Sequence, residues 1–318
     1  MPSVAAVLRI TRLWLLQDRA TFAWEWQGRP VKVPYETLSP TGQSHGLKAD
    51  GRPVLLPAFS TVSTRKEMLP LAGCLATQGL RCRLIDWPGF GDSTRGRLNY
   101  GPQLYHSFLA DFAVTAVPPG AAVVAAGHAA AYALALARDR PGVWSRVVLL
   151  APTWRGPLPT AMGEHPSAYA WVRRLVGMPV IGEALYRLNM LSFAISLMYR
   201  RHVYDDADRI TPAFVAQKQD VARRRGARFA SAAFVTGSLD PVADRAAFLA
   251  LLDPLPVPIL ALSGIAAPRK SKAEMAELAH RSQIDLRWVN GALGLHEECA
   301  AAVAGPIASF LKSISGEA

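Results

Sequence analysis

Two histidines lie at positions where an imidazole could transfer protons. His128 lies between a short apolar run, residues 122–126, and a helical stretch, whereas His296 lies in a segment near the C-terminus. Imidazole changes its charge near neutral pH and therefore serves as a general acid or base. We expect His296 to be the catalytic candidate of the two. His128 is the weaker candidate base, and a buried, hydrogen-bonded histidine is the favoured alternative for it.

The residues that other reactive centres need are missing from the sequence. Cys74, Cys82 and Cys299 are odd in number and show no Cys-x-x-Cys spacing, which argues against a disulfide scaffold or a zinc site. No glycine-rich phosphate loop, repeat or paired carboxylate motif occurs in the chain. We therefore expect neither a metal ion nor an organic cofactor.

The charge of the chain is strongly positive. Its 318 residues include 35 Lys and Arg against 24 Asp and Glu, a net charge of +11, while 51% of the residues are hydrophobic. The basic residues concentrate at 200–202, 223–228 and 269–272, without interleaved aromatic residues or a recognised binding motif, so no nucleic acid is expected as a partner. An anionic membrane surface or an acidic protein partner fits this charge, and ordinary solvated helix faces are the alternative.

Short apolar runs alternate with helical stretches along the chain. Residues 21–37 predict two strands joined at 27–30, because apolar residues at every second position flank a Gly and a Pro. The later runs are apolar without alternation, which is typical of parallel strands that helices cover on both faces. These runs lie at residues 54–59, 82–86, 122–126, 146–151, 258–263 and 285–289. The pattern predicts an α/β fold with a mostly parallel, doubly wound sheet.

One long segment interrupts this alternation. Residues 154–250 show helical periodicity punctuated by Gly and Pro, so we expect a helical cap inserted after the sixth strand. The core would then consist of residues 21–153 and 251–318. The large side chains of the cap are expected to form a helix-packing core; they are Trp171, Tyr186, Met190, Phe193, Met198 and Tyr199.

Residues 1–20 predict an N-terminal helix. Their apolar stretch is interrupted by Arg9 and Arg12 and is shorter than the roughly 18 apolar residues that a spanning helix needs. A helix docked on the core is favoured, and a helix that lies in a membrane interface is the alternative. No clear signal-peptide cleavage site follows, so we expect a cytoplasmic protein, either free or peripheral to a membrane.

The order of these elements resembles the α/β-hydrolase fold superfamily. Residues 86–93, DWPGFGDS, match the family's Asp-x-x-Gly-x-Gly-x-Ser loop, and residues 126–131, AGHAAA, lie at its nucleophile elbow. His296 lies where the family has its catalytic histidine, and the resemblance covers residues 21–312. A bacterial and plastid subgroup with Gly-His-Ala at the elbow is similar in four further segments: 56–64, 151–159, 223–228 and 267–275.

The family's catalytic residues are absent from the matching positions. In the elbow motif Gly-x-Ser-x-Gly the serine attacks the substrate, but Ala129 stands at that position and a methyl group is not a nucleophile. Ala267 stands where the family has its acid, and Ala131 replaces the last glycine. The resemblance therefore implies a degenerate triad, in which His296 has neither a nucleophile to activate nor a carboxylate to orient it. This many departures favour natural loss over an engineered Ser-to-Ala change.

Backbone groups of an oxyanion hole need no particular side chain. We expect the N–H groups of Phe59 and Ala130 to form one that holds a carbonyl or carboxylate. The predicted ligand-binding residues, which would line one cavity with His296, are Phe59, Ser60, His128, Ala129, Ala130 and Trp154. Ser60 is alternatively a turn-capping residue, and Asp240 is expected to cap the helix that follows it.

The sequence thus favours a pseudoenzyme that binds a small apolar or lipid-like ligand, or a protein partner, without hydrolysing it. Two alternatives stay open. One is an enzyme that uses His296 for isomerisation, lyase or thioester-type chemistry. The other is a scaffold or assembly factor whose pocket is filled by its own side chains.

Overall fold

Eight strands form one sheet in the computed structural model, which describes residues 15–40, 52–163 and 165–313. They are β1 (Leu15–Trp26), β2 (Arg29–Pro40), β3 (Val54–Leu56), β4 (Cys82–Ile85), β5 (Val123–Ala126), β6 (Val147–Leu150), β7 (Ile259–Gly264) and β8 (Ile284–Val289). Their order across the sheet is β1-β2-β4-β3-β5-β6-β7-β8. The six strands from β3 to β8 are parallel, and β1 and β2 form an antiparallel edge. The predicted mostly parallel sheet is confirmed.

Apolar side chains cover both faces of the sheet. Along β5, Val123 and Ala125 enter one hydrophobic cluster, whereas Val124 and Ala126 enter the cluster on the other face. Successive side chains of a strand point to opposite faces. A strand that is buried on both sides therefore needs an uninterrupted apolar run, which β3, β5 and β6 have, whereas the edge strand β8 carries Asp285 and Arg287 and is largely exposed.

β1 and β2 form a long hairpin closed by Gln27 and Gly28. Both residues have a positive φ, 50° and 75°, as a two-residue type I′ turn requires. The predicted joint between two strands is confirmed. β1 begins at Leu15, however, and residues 15–20 pair with residues 35–40 of β2. The predicted N-terminal helix is therefore wrong for residues 15–20, whose backbone groups pair with β2, and residues 1–14 lie outside the described residues.

Helices flank the sheet and fill the interval between β6 and β7. Along the described residues they are α1 (Leu69–Ala76), α2 (Pro102–Ala116), α3 (Ala129–Asp139), α4 (Pro157–Met162), α5 (Pro166–Gly177), α6 (Ile181–Asn189), α7 (Ser192–Met198), α8 (Pro212–Ala222), α9 (Ala227–Val235), α10 (Arg245–Ala250), α11 (Arg269–Ala276) and α12 (Ala300–Lys312). Helices α1 and α12 cover one face, and α2 and α3 cover the other. In these ranges no helix combines the length and the apolar character that crossing a membrane would require.

The cap consists of α4 to α10, which follow β6 as predicted. It has a small hydrophobic cluster of its own, which includes Tyr186, Met190 and Tyr199. Trp171 and Phe193 do not share that core, since they are 63% and 77% exposed. The prediction is wrong for these two side chains because α5 and α7 each fully bury a single side chain, Tyr169 and Ile195, and Trp171 and Phe193 lie on their exposed faces.

Candidate functional site

The turn between β5 and α3 is the centre of the candidate site. β5 ends at Ala126, Gly127 has a φ of +51°, and α3 begins at Ala129 with His128 as its N-cap. A left-handed backbone suits glycine and strains residues that have a Cβ. Gly127 is half-buried, whereas Ala126 and His128 on either side of it are buried. Gly127 is thus the most exposed residue of this strand-to-helix turn.

Gly127, rather than Ala129, occupies the position of the elbow at which a nucleophile would stand. A Cβ on Gly127 would lie 3.1 Å from Cβ of Ala58 and 3.8 Å from Oγ1 of Thr153, both of which are half-buried. Ala129 lies in the first turn of α3 and is 0% exposed, so no space that admits a water molecule adjoins it. The prediction that Ala129 stands at the nucleophile position is wrong, because the left-handed turn falls on the glycine two residues earlier.

The backbone donors at this turn also differ from the prediction. The Ala130 N–H donates to the carbonyl oxygen of Gly127 at 3.2 Å and is therefore already used within the turn. Within the described part of the chain, the N–H groups of Phe59 and His128 have no acceptor. These two residues follow Ala58 and Gly127 directly. The candidate donor pair is therefore Phe59 with His128, not Phe59 with Ala130.

The side chain of Phe59 is part of an aromatic cluster. Its ring centroid lies 4.7 Å from that of Trp87, 4.9 Å from that of Tyr105 and 5.8 Å from that of His128. All four residues are buried. The ring of Phe59 therefore fills the space behind the elbow, and its predicted role as a backbone donor stays a prediction.

Ser60 and Trp154 also have partners within the protein. The Ser60 Oγ accepts the Val62 N–H at 3.2 Å, which is the turn-capping alternative. Trp154 is 4% exposed and stacks on Phe248 of α10 at 6.3 Å between ring centroids. Their contacts stabilise a turn and the packing of the cap on the core. The prediction that they line a ligand cavity is therefore not supported by these contacts.

His128 forms a buried pair with a carboxylate from the end of the cap. Its Nε2 lies 3.2 Å from Oδ1 of Asp240, and Asp240 also accepts the N–H of Gly156 at 2.9 Å. The prediction that Asp240 caps the next helix is wrong, since Asp244 caps α10 by accepting the Ala247 N–H. Asp240 instead joins the first and last segments of the cap to the elbow.

His296 lies beside a carboxylate from the N-terminal part of the chain. Its Nε2 lies 3.5 Å from Oε1 of Glu67, a contact at ion-pair distance that forms no hydrogen bond, and each side chain is 5% exposed. Glu67 belongs to the 3-10 helix Arg65–Met68, which follows β3. Ala267 is buried among apolar residues. The prediction that no carboxylate accompanies His296 is wrong, because Glu67 reaches it from a different strand end.

Solved structures with the same architecture cover nearly the whole chain. A probable hydrolytic enzyme from Pseudomonas aeruginosa superposes with a TM-score of 0.70 over 93% of this chain and 95% of its own, at 18% sequence identity. A Cif epoxide hydrolase from Acinetobacter nosocomialis has a TM-score of 0.65, at 16% identity over 98% and 97% of the two chains. The chain has the α/β-hydrolase fold. An enol-lactonase from Burkholderia xenovorans shares it, with a TM-score of 0.63 and 18% identity over 89% and 97%. No family model and no curated protein matches the sequence.

In this α/β-hydrolase fold, the loop after β4 is a structural anchor. Asp86 is completely buried and accepts the N–H groups of Arg65 at 2.6 Å and Asp92 at 2.8 Å. Gly91 has a φ of +54°, and a Cβ there would overlap the Asp86 carboxylate. Asp86 and Gly91 of the DWPGFGDS motif are therefore required by the fold of the loop itself.

The guanidinium of Arg65 completes this anchor. It forms ion pairs with Glu36 at 2.6 Å, Asp86 at 2.5 Å and Asp92 at 2.7 Å. Burial lowers the pKa of Arg65, but the three carboxylates outweigh it and hold the pKa above its ordinary value. Arg224 of the neighbouring cap segment also pairs with Asp92. The network therefore ties the core loop to the cap.

A second buried network joins the cap to the segment of His296. Lys218 of α8 donates to both carboxylate oxygens of Glu297, at 2.7 and 2.9 Å, and its side chain is 4% exposed. Burial lowers the pKa of Lys218, but Glu297 and Glu67 outweigh it and raise the pKa above its ordinary value. Burial and the same carboxylates raise the pKa of Tyr199. Lys218 is therefore a charged link between cap and core.

Four residues of this region lay outside the sequence-based prediction: Gly127, Glu67, Lys218 and Asp240 in its role as partner of His128. A glycine directly after a strand and just before a helix is the one signal that the sequence offers for the elbow. The other three residues carry no local signal, because their partners come from distant segments.

Proposed function

We propose that the protein binds a lipid-like ligand without forming a covalent bond to it. The observation that carries the proposal is Gly127, since the elbow position from which a nucleophile would attack has no side chain. Thr153 has the hydroxyl nearest to that position, and no histidine of the described residues is hydrogen-bonded to it. Covalent hydrolysis therefore has no candidate nucleophile at this turn.

The two histidines support the same proposal. In each of them Nε2 faces a carboxylate, while Nδ1 is buried without a hydrogen-bond partner among the described residues. A general base must reach the proton that it removes, directly or through one water molecule. Burial of these nitrogens works against the entry of a hydrolytic water. The pairs of His128 and His296 are better suited to position the elbow and the cap.

The cap supplies a site of suitable size and chemistry. A groove of about 490 Å³ is lined by Ala184, Arg187, Leu188, Leu191 and Arg223. Its volume lies within the roughly 300–1,000 Å³ of small-molecule sites. The three apolar side chains suit an alkyl chain, and the two guanidinium groups suit an anionic head. The groove therefore favours an amphiphile with one anionic end.

We further propose that the cap meets this ligand at an anionic membrane surface. Large apolar side chains that are 41% to 81% exposed follow one another along the cap: Met162, Trp171, Met178, Val180, Ile181, Leu185, Leu188, Leu191 and Phe193. Arg200 and Arg201 are exposed in the segment that follows α7. Exposed apolar groups flanked by arginines suit a lipid interface, where the chains insert and the guanidinium groups meet lipid phosphates.

Oleate tests the groove. The wild-type protein should bind oleate saturably in isothermal titration, and Leu188→Glu should weaken the affinity at least tenfold because it adds a carboxylate beside the apolar chain. Val114→Glu is the matched control, since Val114 is 70% exposed and lies in α2, outside the cap. An absence of oleate binding by the wild-type protein would contradict the binding function and leave a scaffold role.

Vesicles test the membrane surface. The protein should sediment with phosphatidylglycerol vesicles and dissociate as salt rises, because charge attraction is screened over about 10 Å at 0.1 M salt. Trp171→Glu combined with Phe193→Glu should reduce the bound fraction, whereas Val114→Glu should not. Equal binding by all three proteins would contradict docking through the cap, and no binding at all would leave an acidic protein partner for the basic charge.

The His296–Glu67 pair favours a second candidate, a general acid–base enzyme. An imidazole beside a carboxylate can move a proton without a nucleophile, which suits isomerisation or lyase chemistry. In that case a metabolite extract incubated with the protein would change in composition, as followed by mass spectrometry. His296→Gln and Glu67→Gln would both lose this conversion while Val114→Glu kept it, and this result would replace the binding proposal.

A further inference from the structure

Three arginines converge on a small cavity at the end of the central strands that lies opposite the elbow. The cavity has a volume of about 40 Å³ and is lined by Thr37, Arg52, Val54, Arg81, Arg83 and Pro118. It lies where β3 and β4 begin, whereas the elbow follows the end of β5. Because β3, β4 and β5 are parallel, the cavity and the elbow lie at opposite ends of these strands. We name this cavity, with Thr37, Arg52, Arg81 and Arg83, the arginine pocket.

Strand register explains how the arginines meet. Arg83 is the partner of Thr37 on β2 and of Val54 on β3. Arg81 precedes it by two residues, and residues two apart in an extended chain point to the same side. Arg52 precedes Val54 by two residues in the same way. The neighbouring starts of two strands therefore deliver three guanidinium groups to one place.

Too few protein groups neutralise or satisfy these arginines. Nε of Arg52 and Nε of Arg81 are buried, and neither has a hydrogen-bond partner within the described ranges. The Arg83 Nε donates to Thr37 Oγ1 at 3.4 Å. The one carboxylate paired with an arginine of the pocket in those ranges is that of Asp18, which is 76% exposed and lies 3.9 Å from Arg81.

The neighbouring charges act on Arg83. Burial lowers the pKa of Arg83, Arg81 and Arg52 lower it further, and Tyr35 opposes them. Buried N–H groups of proteins are almost always paired, with the protein, with water or with a ligand. Clustered positive charge with spare donors is the arrangement that an anion completes.

We propose that the arginine pocket binds a phosphate-type oxyanion. A water molecule needs about 10–15 Å³ of cavity volume, so the 40 Å³ of the pocket corresponds to about three to four waters, which is the size of a small oxyanion. The guanidinium fork donates two parallel hydrogen bonds to phosphate oxygens. The Arg81 side chain is 31% exposed, so the pocket reaches the surface and the remainder of a phosphorylated ligand extends into solvent.

The proposal predicts in which direction Arg81→Gln changes the melting temperature. Without an anion the three arginines repel one another, so Arg81→Gln should leave the melting temperature unchanged or raise it in a chloride buffer of low ionic strength. In phosphate at equal ionic strength, the wild-type protein should gain melting temperature up to a plateau, because a ligand that binds only the native state stabilises it. Arg81→Gln should gain much less.

Isothermal titration of the full chain with inorganic phosphate measures the site directly. We expect saturable binding that weakens at least tenfold in Arg83→Gln and in Arg81→Gln. Arg138→Gln, a change of an exposed arginine on α3, should bind as the wild type does. The use of two variants guards against a folding defect in one of them. A response that chloride reproduces, or equal affinity in all four proteins, would overturn the proposal.

Two further binding measurements identify the source of the phosphate. Glycerol 3-phosphate represents a soluble ligand, and vesicles of phosphatidic acid represent a lipid headgroup. In the Trp171→Glu/Phe193→Glu background, which removes docking through the cap, displacement of the protein from these vesicles by inorganic phosphate at constant ionic strength, together with loss of vesicle binding when Arg83→Gln is added, would assign a lipid. Binding of glycerol 3-phosphate without such displacement would assign a soluble ligand. Trp171→Glu should leave phosphate affinity unchanged, so this test is independent of the cap.

Discussion

Arg65 and Arg83 lie near strand ends of one sheet, yet their surroundings are opposite. Arg65 is paired with three carboxylates, those of Glu36, Asp86 and Asp92. Arg83 faces two other arginines. Burial lowers the pKa of both, but the carboxylates raise the pKa of Arg65 overall, whereas the pKa of Arg83 stays lowered. A neutralised arginine belongs to the scaffold of the fold, and three arginines with the exposed Asp18 as their one paired carboxylate among the described residues are suited to a ligand.

Removal of the Arg65 charge should have the largest effect. Arg65→Met removes the guanidinium that pairs with the buried carboxylates of Asp86 and Glu36, while Glu36 keeps Arg19 at 3.5 Å. Breaking a buried ion pair in this way costs about 3–5 kcal/mol. Urea denaturation should show that loss in the free energy of unfolding. Arg245→Met is the control, because Arg245 pairs with Glu274 in solvent, and it should change stability far less. A similar loss of unfolding free energy in both variants would show that Arg65 stabilises the fold no more than a surface arginine does.

The residue first expected to face a ligand belongs to the scaffold as well. Ala129 is 0% exposed within the main hydrophobic cluster, so Ala129→Leu overpacks the core and should lower the free energy of unfolding by about 1–3 kcal/mol. Val114→Leu, at an exposed position of α2, should leave stability unchanged. An unchanged melting temperature for Ala129→Leu would mean that free space adjoins the residue, and it would return the ligand site to the elbow.

A smaller effect should appear in acid. Burial raises the pKa of Asp92, but Arg224 and Arg65 outweigh it and lower the pKa to about 2. A carboxylate with a lowered pKa stabilises the native state above its ordinary pKa, and that contribution is lost as the pH falls toward 2. The stability difference between wild type and Asp92→Asn should therefore be constant above about pH 4 and shrink below it.

Lys66 and Asp86 also face Asp92, and both are present in the two proteins of that comparison. Burial raises the pKa of Asp86 and the Asp92 charge raises it further, so the difference between wild type and Asp92→Asn contains the titration of Asp92 together with its effect on Asp86. A difference that stayed constant down to pH 2 would show that Asp92 gains nothing from its two arginines.

The sheet was predictable because burial on both faces imposes its own pattern. Residues 122–126 and 258–262 are apolar without interruption; the first range contains β5, and the second contains the first four residues of β7. The first strand gave a different result, since apolar residues interrupted by arginines suit a helix and an edge strand equally. Pairing of β1 with β2 resolves that choice, and no local pattern encodes the pairing.

The elbow and its carboxylates show where the sequence-based prediction ends. The motif positions placed the turn within residues 126–131, but the residue that adopts the left-handed backbone depends on where α3 begins. Glu67 and Asp240 reach their histidines from other strands and from the cap. Such contacts follow from tertiary packing, so neither pairing could be assigned from the motif positions of the family.

Intact-mass spectrometry tests most directly whether the elbow lacks a nucleophile. The protein is incubated with a fluorophosphonate and with p-nitrophenyl acetate, and its mass is measured under denaturing conditions, which retain covalent adducts and release bound ligands. With Gly127 at the elbow, the mass should stay that of the free chain, and p-nitrophenol should form at the rate without protein. A stoichiometric adduct on a residue of this turn, on Ser60 or on Thr153 would contradict the account.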